Sequence, residues 1–301
     1  MAVDGGRRAT VDDLGPALLA WAVGAGLPPR EARWILEEVD GPAVASGGRE
    51  SAFRRLAERR LAGEPLQYVL GTWPFRSIEL QVDRRVLIPR PETERVVEVA
   101  LAELHAVLGG PGGPGRAPLV ADLGTGSGAI ALSLAVEAGP SWPGLEVWAT
   151  DRSAPSLEVA ATNLAGLSER IDGSGASVRL AQGWWFSALP PGRCGEFDLV
   201  VSNPPYVAGH ELAGLDAGVR EWEPESALVA ADGTGGAGGM ADVEAVVAGA
   251  ARWLRPGGAL VVEIAPHQAD AATGAAHRAG LVAARTEPDL AGRTRMLVAR
   301  R

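Results

Sequence analysis

Apolar positions recur every three or four residues over 13–26, 30–39 and 51–61, with Pro and Gly between the runs. That period predicts three amphipathic helices, each hiding one face, and so a small helical domain over residues 1–70. Over 73–88, WPFRSIELQVDRRVLI, the pattern changes to apolar–polar alternation in two runs around a polar centre. Alternation of that kind predicts a β-hairpin. PRPETE follows, where Thr93 or Glu92 is expected to cap or open the helix of RVVEVALAELHAVL. GGPGGPGRAP, 109–118, reads as a linker, so 71–117 joins the first domain to a second at 118–301.

Beyond the linker, short β-type runs alternate with helical ones. PLVADLG, LEVWATD, VRLAQG, FDLVVSN, ALVVEIA and RMLVARR read as strands, with helices between them near 130–138, 154–164, 242–254 and 267–279. Such alternation predicts an α/β fold with a doubly wound, mostly parallel sheet and right-handed crossovers. Ligands of such sheets bind outside the carboxyl ends of the strands.

Composition narrows the picture. The chain has 301 residues, 47% hydrophobic and 22% charged, enough to bury a sizeable core. Every one of the 28 basic residues is arginine, which we read as coding bias without functional weight. Net charge is -9 with basic residues interspersed among acids, so no broad positive field exists to attract duplex nucleic acid. The single cysteine, Cys194, rules out an intrachain disulfide and a multi-cysteine metal site, and suits a reducing compartment. ALLAWAVGAGL, 17–27, follows Asp12 and Asp13 as well as Arg7 and Arg8 and precedes no small-residue cleavage site, so a helix is expected there and not a signal peptide. No apolar run reaches the ~20 residues of a membrane span, and a cytoplasmic location is expected.

Several conspicuous residues take plain structural readings. The arginines of RRLAERRLAG are expected on a solvated helix face, and most of the nine tryptophans as core or helix-packing residues and not as ligand platforms. His105, His210, His267 and His277 have no ligand spacing, so no metal is assigned. Glu221, Glu223 and Glu225 of REWEPES are expected in a structural loop over the active site and not as an acid–base pair. GTGGAGGM, 233–240, is glycine-rich and expected to be mobile.

Chemistry concentrates in two places. The first strand of the sheet domain ends in DLGTGSG, Asp122 to Gly128, and leads straight into a helix. Glycines 124, 126 and 128 allow a tight turn and close ligand approach at a helix N-terminus. The next strand ends in Asp151, whose carboxylate can accept from ribose hydroxyls. Together they describe a nucleoside pocket, although GTGSGA also fits the looser dinucleotide fingerprint and leaves NAD open. The second place is NPPY, 203–206, at the end of FDLVVSN and on the same rim. Asn203 offers an amide oxygen, and prolines, lacking N–H, leave a backbone carbonyl free to accept. Two acceptors beside the ring of Tyr206 suit a flat group bearing an NH2. Such a nitrogen is a poor nucleophile, so fixing its hydrogens and aiming it at an electrophilic methyl is catalysis by positioning. Hydride transfer needs nothing of the kind.

DLGTGSG, Asp151 and NPPY together resemble the class I S-adenosylmethionine-dependent methyltransferases that act on planar nitrogens, with their Rossmann-like sheet. GEPLQYVLGTWPF, VLIPRPETE, DLGTGSGAIALSLA, WFSAL, VSNPPY, VREWEPESALVAADG and LRPGGALVVEI resemble successive blocks of one family, the bacterial protein-(glutamine-N5) methyltransferases of class 1 peptide-chain release factors. The resemblance implies S-adenosyl-L-methionine as cofactor and the glutamine of a Gly-Gly-Gln motif in a release factor as substrate, with the N-terminal domain recognising that protein. It implies Asp122, Gly124, Thr125, Gly126, Ser127, Gly128, Asp151 and Trp185 around the cofactor, with Asn203 reaching it as well. Asn203, Pro204 and Tyr206 would act on the glutamine amide, with Pro205, Arg90, Glu92 and Thr93 among the substrate contacts. One departure is Trp184, where the family usually has an acid able to accept from adenine; tryptophan can stack there but cannot accept. EIAP, 263–266, likewise replaces the family's EIG. The rival readings are a glutamine methyltransferase of a ribosomal protein, against which PRPETE speaks, an adenine-N6 methyltransferase of nucleic acid, which lacks a basic recognition domain here, and a nucleotide-binding dehydrogenase, which leaves NPPY unexplained.

Overall fold

A computed structural model describes residues 11–40, 48–109, 115–231 and 238–301. Arg7 and Arg8, the middle of the expected linker, and 233–237 of the glycine-rich loop lie outside the described residues. The chain divides into two compact units, Met1–Gly71 with Ala217–Trp222, and Thr72–Asp216 with Glu223–Arg301.

In the first unit the helices run Val11–Gly24, Pro29–Val39, Arg49–Leu61 and Leu66–Leu70. Leu18, Ile35, Phe53 and Val69 meet in its core, because the 3.6-residue period sets their side chains on facing stripes. Two arginines of RRLAERRLAG depart from the expected solvated face: Arg59 pairs with Glu64 at 2.5 Å and Arg60 with Glu31 at 2.7 Å.

The second unit opens with a hairpin of β1 (Thr72–Phe75) and β2 (Ile78–Gln81), closed by Arg76 and Ser77, with Arg76 at φ 51°. The hairpin is shorter than the alternation suggests, since 82–90 belong to no strand. The next helix, Pro91–Leu108, starts on its proline, and neither Glu92 nor Thr93 caps it. A sheet of seven strands follows: β3 (Leu119–Leu123), β4 (Glu146–Asp151), β5 (Ser177–Gln182), β6 (Phe197–Ser202), β7 (Leu254–Glu263), β8 (Val282–Pro288) and β9 (Thr294–Arg300). Their order is β5-β4-β3-β6-β7-β9-β8; the first five neighbours run parallel, and β9 runs antiparallel to both β7 and β8. β3 and β6 are buried at every residue, which is why they read as unbroken apolar runs. Helices Ala129–Ala138, Ala154–Gly166, Ala241–Trp253 and Ala269–Arg278 alternate with the strands, and Ser168–Ser174 adds a short helix that the apolar pattern does not predict. Strand β8 was not expected either: it lies at the sheet edge with most positions exposed, so it has no apolar face to betray it.

The foot of β6 is clamped. Asp198 is fully buried and accepts from the Leu119 backbone N–H at 2.9 Å and from the guanidinium groups of Arg116 and Arg255. Among the described residues no helix is long and apolar enough to cross a membrane, and no group of three or more His, Cys, Asp or Glu is placed to hold a metal.

Candidate active site

From β3 the chain proceeds through β4 to β5 on one side of the sheet, while β6 leads to β7 on the other. The carboxyl ends of β3 and β6 therefore flank the crevice where an open α/β sheet takes its ligand. Gly124 follows β3 and Asn203 follows β6, so the two stretches singled out by their chemistry arrive on one rim. A cavity opens there.

The glycine loop makes the floor. Gly124 and Thr125 both donate their N–H to the Thr150 carbonyl at 2.8 Å, bending the chain across the end of β4. Gly126, at φ 56°, has open space where a side chain would stand, and its N–H donates to Asp151 Oδ2 at 3.0 Å. Asp151 Oδ1 takes the Ser153 N–H at 2.8 Å. Each oxygen keeps a lone pair, and burial pushes the carboxyl above its ordinary range despite those two donors. Beneath the loop, the fully buried Asp122 accepts from the Thr125 hydroxyl at 2.6 Å and from the Ala131 N–H at 3.1 Å. Its other oxygen has no partner, and desolvation raises the carboxyl to about 7.

The wall beside β5 is aromatic. Trp184 and Trp185 meet edge to face with centroids 5.9 Å apart, and the Arg152 guanidinium lies 4.8 Å above the Trp184 ring. Trp184 is 44% exposed, whereas Trp185 turns its Nε1 inward, buried and without a partner. At φ 45° Trp185 holds a backbone conformation that non-glycine residues rarely adopt.

Opposite stands the amide. Asn203 Nδ2 donates to Thr93 Oγ1 at 3.2 Å, and Thr93 Oγ1 donates to Glu263 Oε2 at 2.9 Å. Glu263 also accepts from the Tyr206 hydroxyl at 3.3 Å. Burial lifts Glu263 to about 7 and raises the Tyr206 hydroxyl strongly. Arg90 donates to the buried Glu223 at 2.5 Å, and Glu223 also takes the Ile88 N–H at 3.2 Å, tying PRPETE to the REWEPES loop.

Of the residues singled out in the sequence, Arg90, Thr93, Gly124, Thr125, Gly126, Ser127, Asp151, Trp185, Asn203 and Pro205 line the cavity together. Asp122 lies under the floor, and Gly128 packs where a Cβ would meet Leu132 Cδ1 at 2.9 Å. Tyr206 sits behind Asn203 with its hydroxyl on Glu263, while Glu92 is drawn away by Arg293 at 2.9 Å. Three positioning residues escaped sequence reasoning. Glu263 joins Thr93 to Tyr206. Asn163 bonds the Gln81 N–H and carbonyl and the Ser127 carbonyl at 2.7, 3.0 and 2.9 Å, lashing the hairpin to the glycine loop. Gln268 donates to the carbonyls of Tyr206 and Gly238 at 3.1 and 2.7 Å. Their one signal is polarity inside or just after apolar runs.

Comparison with known proteins agrees with this layout. The family model described as Methyltransferase small domain matches residues 114–217. A release factor glutamine methyltransferase of Bordetella pertussis is 42% identical over 278 residues, covering 89% of this chain and 93% of its own. One of Moorella thermoacetica is 42% identical over 287 residues, covering 94% and 89%. A crystal structure of a release factor-specific protein-(glutamine-N5) methyltransferase from Alicyclobacillus acidocaldarius is 25% identical over 71% of this chain and 94% of that one, with a TM-score of 0.38. Identity at this level over almost the full length of both relatives, on a class I methyltransferase sheet, fixes the assignment: the chain is a methyltransferase and belongs to the release factor glutamine methyltransferase family.

Proposed function

We propose that the protein methylates the side-chain N5 of the glutamine in the Gly-Gly-Gln motif of class 1 peptide-chain release factors, using S-adenosyl-L-methionine. The observation that carries this reading is Asn203 at the tip of β6, its amide nitrogen engaged by Thr93 and its oxygen left for an incoming NH2. The cavity residues fit the cofactor. Gly126 offers a cradle that any side chain would fill, Asp151 has acceptor capacity left for a ribose, and Trp185 Nε1 is a buried donor awaiting a partner. Gly124, Thr125 and Ser127 complete the cradle, with Trp185 on the adenine side, and Gly128 supports the turn from beneath against Leu132. At the departure from the family pattern, the Trp184 face carries Arg152 and offers stacking in place of an acceptor.

When bound, the cofactor supplies a methyl group on a positively charged sulfur. The protein's part is to present the glutamine nitrogen to it. Asn203 Oδ1 and the Pro204 carbonyl accept the two amide hydrogens, Pro205, Arg90 and Thr93 form the wall around the amide, and Tyr206 supports Asn203 from behind, while Glu92, held by Arg293, stands outside that wall. On taking the methyl group the amide nitrogen would give up one proton to solvent and keep the other, so no general base is needed. The gain comes from orientation and fixed dipoles. The helical unit is proposed to grip the body of the release factor. Net charge -9 supports a protein over a nucleic acid as substrate, and the protein is proposed to work in the cytoplasm without metal.

Mass spectrometry of a purified class 1 release factor after incubation with the enzyme and S-adenosylmethionine tests the reading. A single methyl on the Gly-Gly-Gln glutamine is expected; an unmodified factor beside a cofactor-binding enzyme moves the search to ribosomal proteins and then to nucleic acids. Asn203→Ala is expected to cut the rate at saturation by about 10²–10³ while cofactor affinity in calorimetry stays unchanged.

A further inference from the structure

Glu263 closes β7, is 1% exposed, and is not among the residues that line the cavity, yet it receives hydrogen bonds from two residues around Asn203. An ionised carboxylate has no proton to give, so Thr93 and Tyr206 must both be donors toward it. A hydroxyl has one proton. Once Thr93 spends it on Glu263, its oxygen can only accept from Asn203, and the asparagine must turn its nitrogen to Thr93. The amide oxygen is then left facing the other way. Without that direction the two ends of the amide, nearly equal in shape, could exchange, and an NH2 would meet the NH2 of the substrate.

We propose that Glu263 is a positioning residue for methyl transfer: acting through Thr93, it dictates which end of the Asn203 amide is offered to the substrate, and acting through Tyr206, it steadies the neighbouring ring. The proposal rests on the reading of a glutamine NH2 as the methyl acceptor. The charged groups facing Glu263 are Arg295 from β9, which favours the ionised form, and Glu92 from the Pro91–Leu108 helix, which opposes it. Burial outweighs both and brings the carboxyl to about 7. A protonated Glu263 can donate to Thr93, which would then donate to the asparagine oxygen and reverse the relay. Activity therefore falls as pH drops through about 7.

The test uses the full-length enzyme with Thr93→Val, Thr93→Ser and Glu263→Gln. Proton exchange of the Asn203 side-chain amide, followed by NMR, needs no substrate. It should quicken about 10-fold in Thr93→Val and stay near the parent in Thr93→Ser. With release factor as substrate, Thr93→Val should lose about 10- to 100-fold in kcat at unchanged KM and cofactor affinity, and Thr93→Ser should restore most of it. The low-pH limb of the wild-type profile should vanish in Thr93→Val, where Glu263 keeps Tyr206 but no longer reaches Asn203, and in Glu263→Gln, which cannot ionise. Unaltered amide exchange in Thr93→Val, a limb that persists there, or a cofactor affinity that falls in step with the rate overturns the relay. A wild type that leaves the release factor unmodified overturns the proposed function instead, and the amide exchange still decides the relay.

Discussion

Asp122 and Glu263 are carboxyls that the sheet has walled off from water, one below the glycine loop and one behind Asn203. Desolvation lifts both to about 7, above their ordinary values of 3.8 and 4.5. A carboxyl raised in the folded state stabilises fully below its ordinary pKa, and that contribution is lost as pH climbs through the folded value. Melting temperature should thus decline between about pH 5 and about pH 8, with Glu263 alone accounting for about 3 kcal/mol. In Glu263→Gln that share should be missing, so thermal melts at the two pH values should differ less than in wild type; an equal difference would mean that Glu263 does not titrate there. Asn203 could be found from NPPY alone, because prolines after an apolar run demand an explanation. Glu263 could not: an acid that ends ALVVE looks like the wet end of a strand, and its partner Thr93 is 170 positions away. Thr93 itself was legible as part of a wall, but its hydroxyl was expected on a helix end and went to Glu263 instead.

The strand–turn–helix of β3, the glycine loop and Ala129–Ala138 was the most legible element, since its apolar run, glycines and helix leave few alternatives. Its glycines do different work. Gly128, at φ 87°, is wedged against Leu132, whereas Gly126, at φ 56°, borders open space. Gly128→Ala is expected to lower stability by about 2 kcal/mol through backbone strain and the Leu132 contact. Gly126→Ala should cost about 1 kcal/mol of stability and weaken cofactor binding more, as chemical denaturation and calorimetry on the pair would show. Legibility failed where packing is one-sided. β8 has a mostly wet surface, and 82–88, the end of the span expected to form the hairpin, has no strand partner, so periodicity misses the first and overstates the second.

Two compact units imply two cores, and the helical one is small. Phe53 is fully buried at its centre, edge to face with Trp21 at 6.4 Å between centroids. Phe53→Ala should remove about 3–5 kcal/mol from that unit, while cofactor affinity, held by the other, stays unchanged below the new melting point. A shared loss would mean that the units unfold as one. Two helical and α/β halves follow from the change of apolar period along the chain; that Ala217–Trp222 returns to the first unit could not be read, because it is a matter of long-range contact. In the second unit, β6 carries Asn203 at one end and the Arg116–Asp198–Arg255 cluster at the other. Two cations against one anion leave a surplus positive charge that would repel a sulfonium. Five strand steps put it about 16 Å from Asn203, where distance alone weakens the interaction. The strand thus works as a spacer, letting arginine fix the sheet at the end of β6 opposite the transfer site.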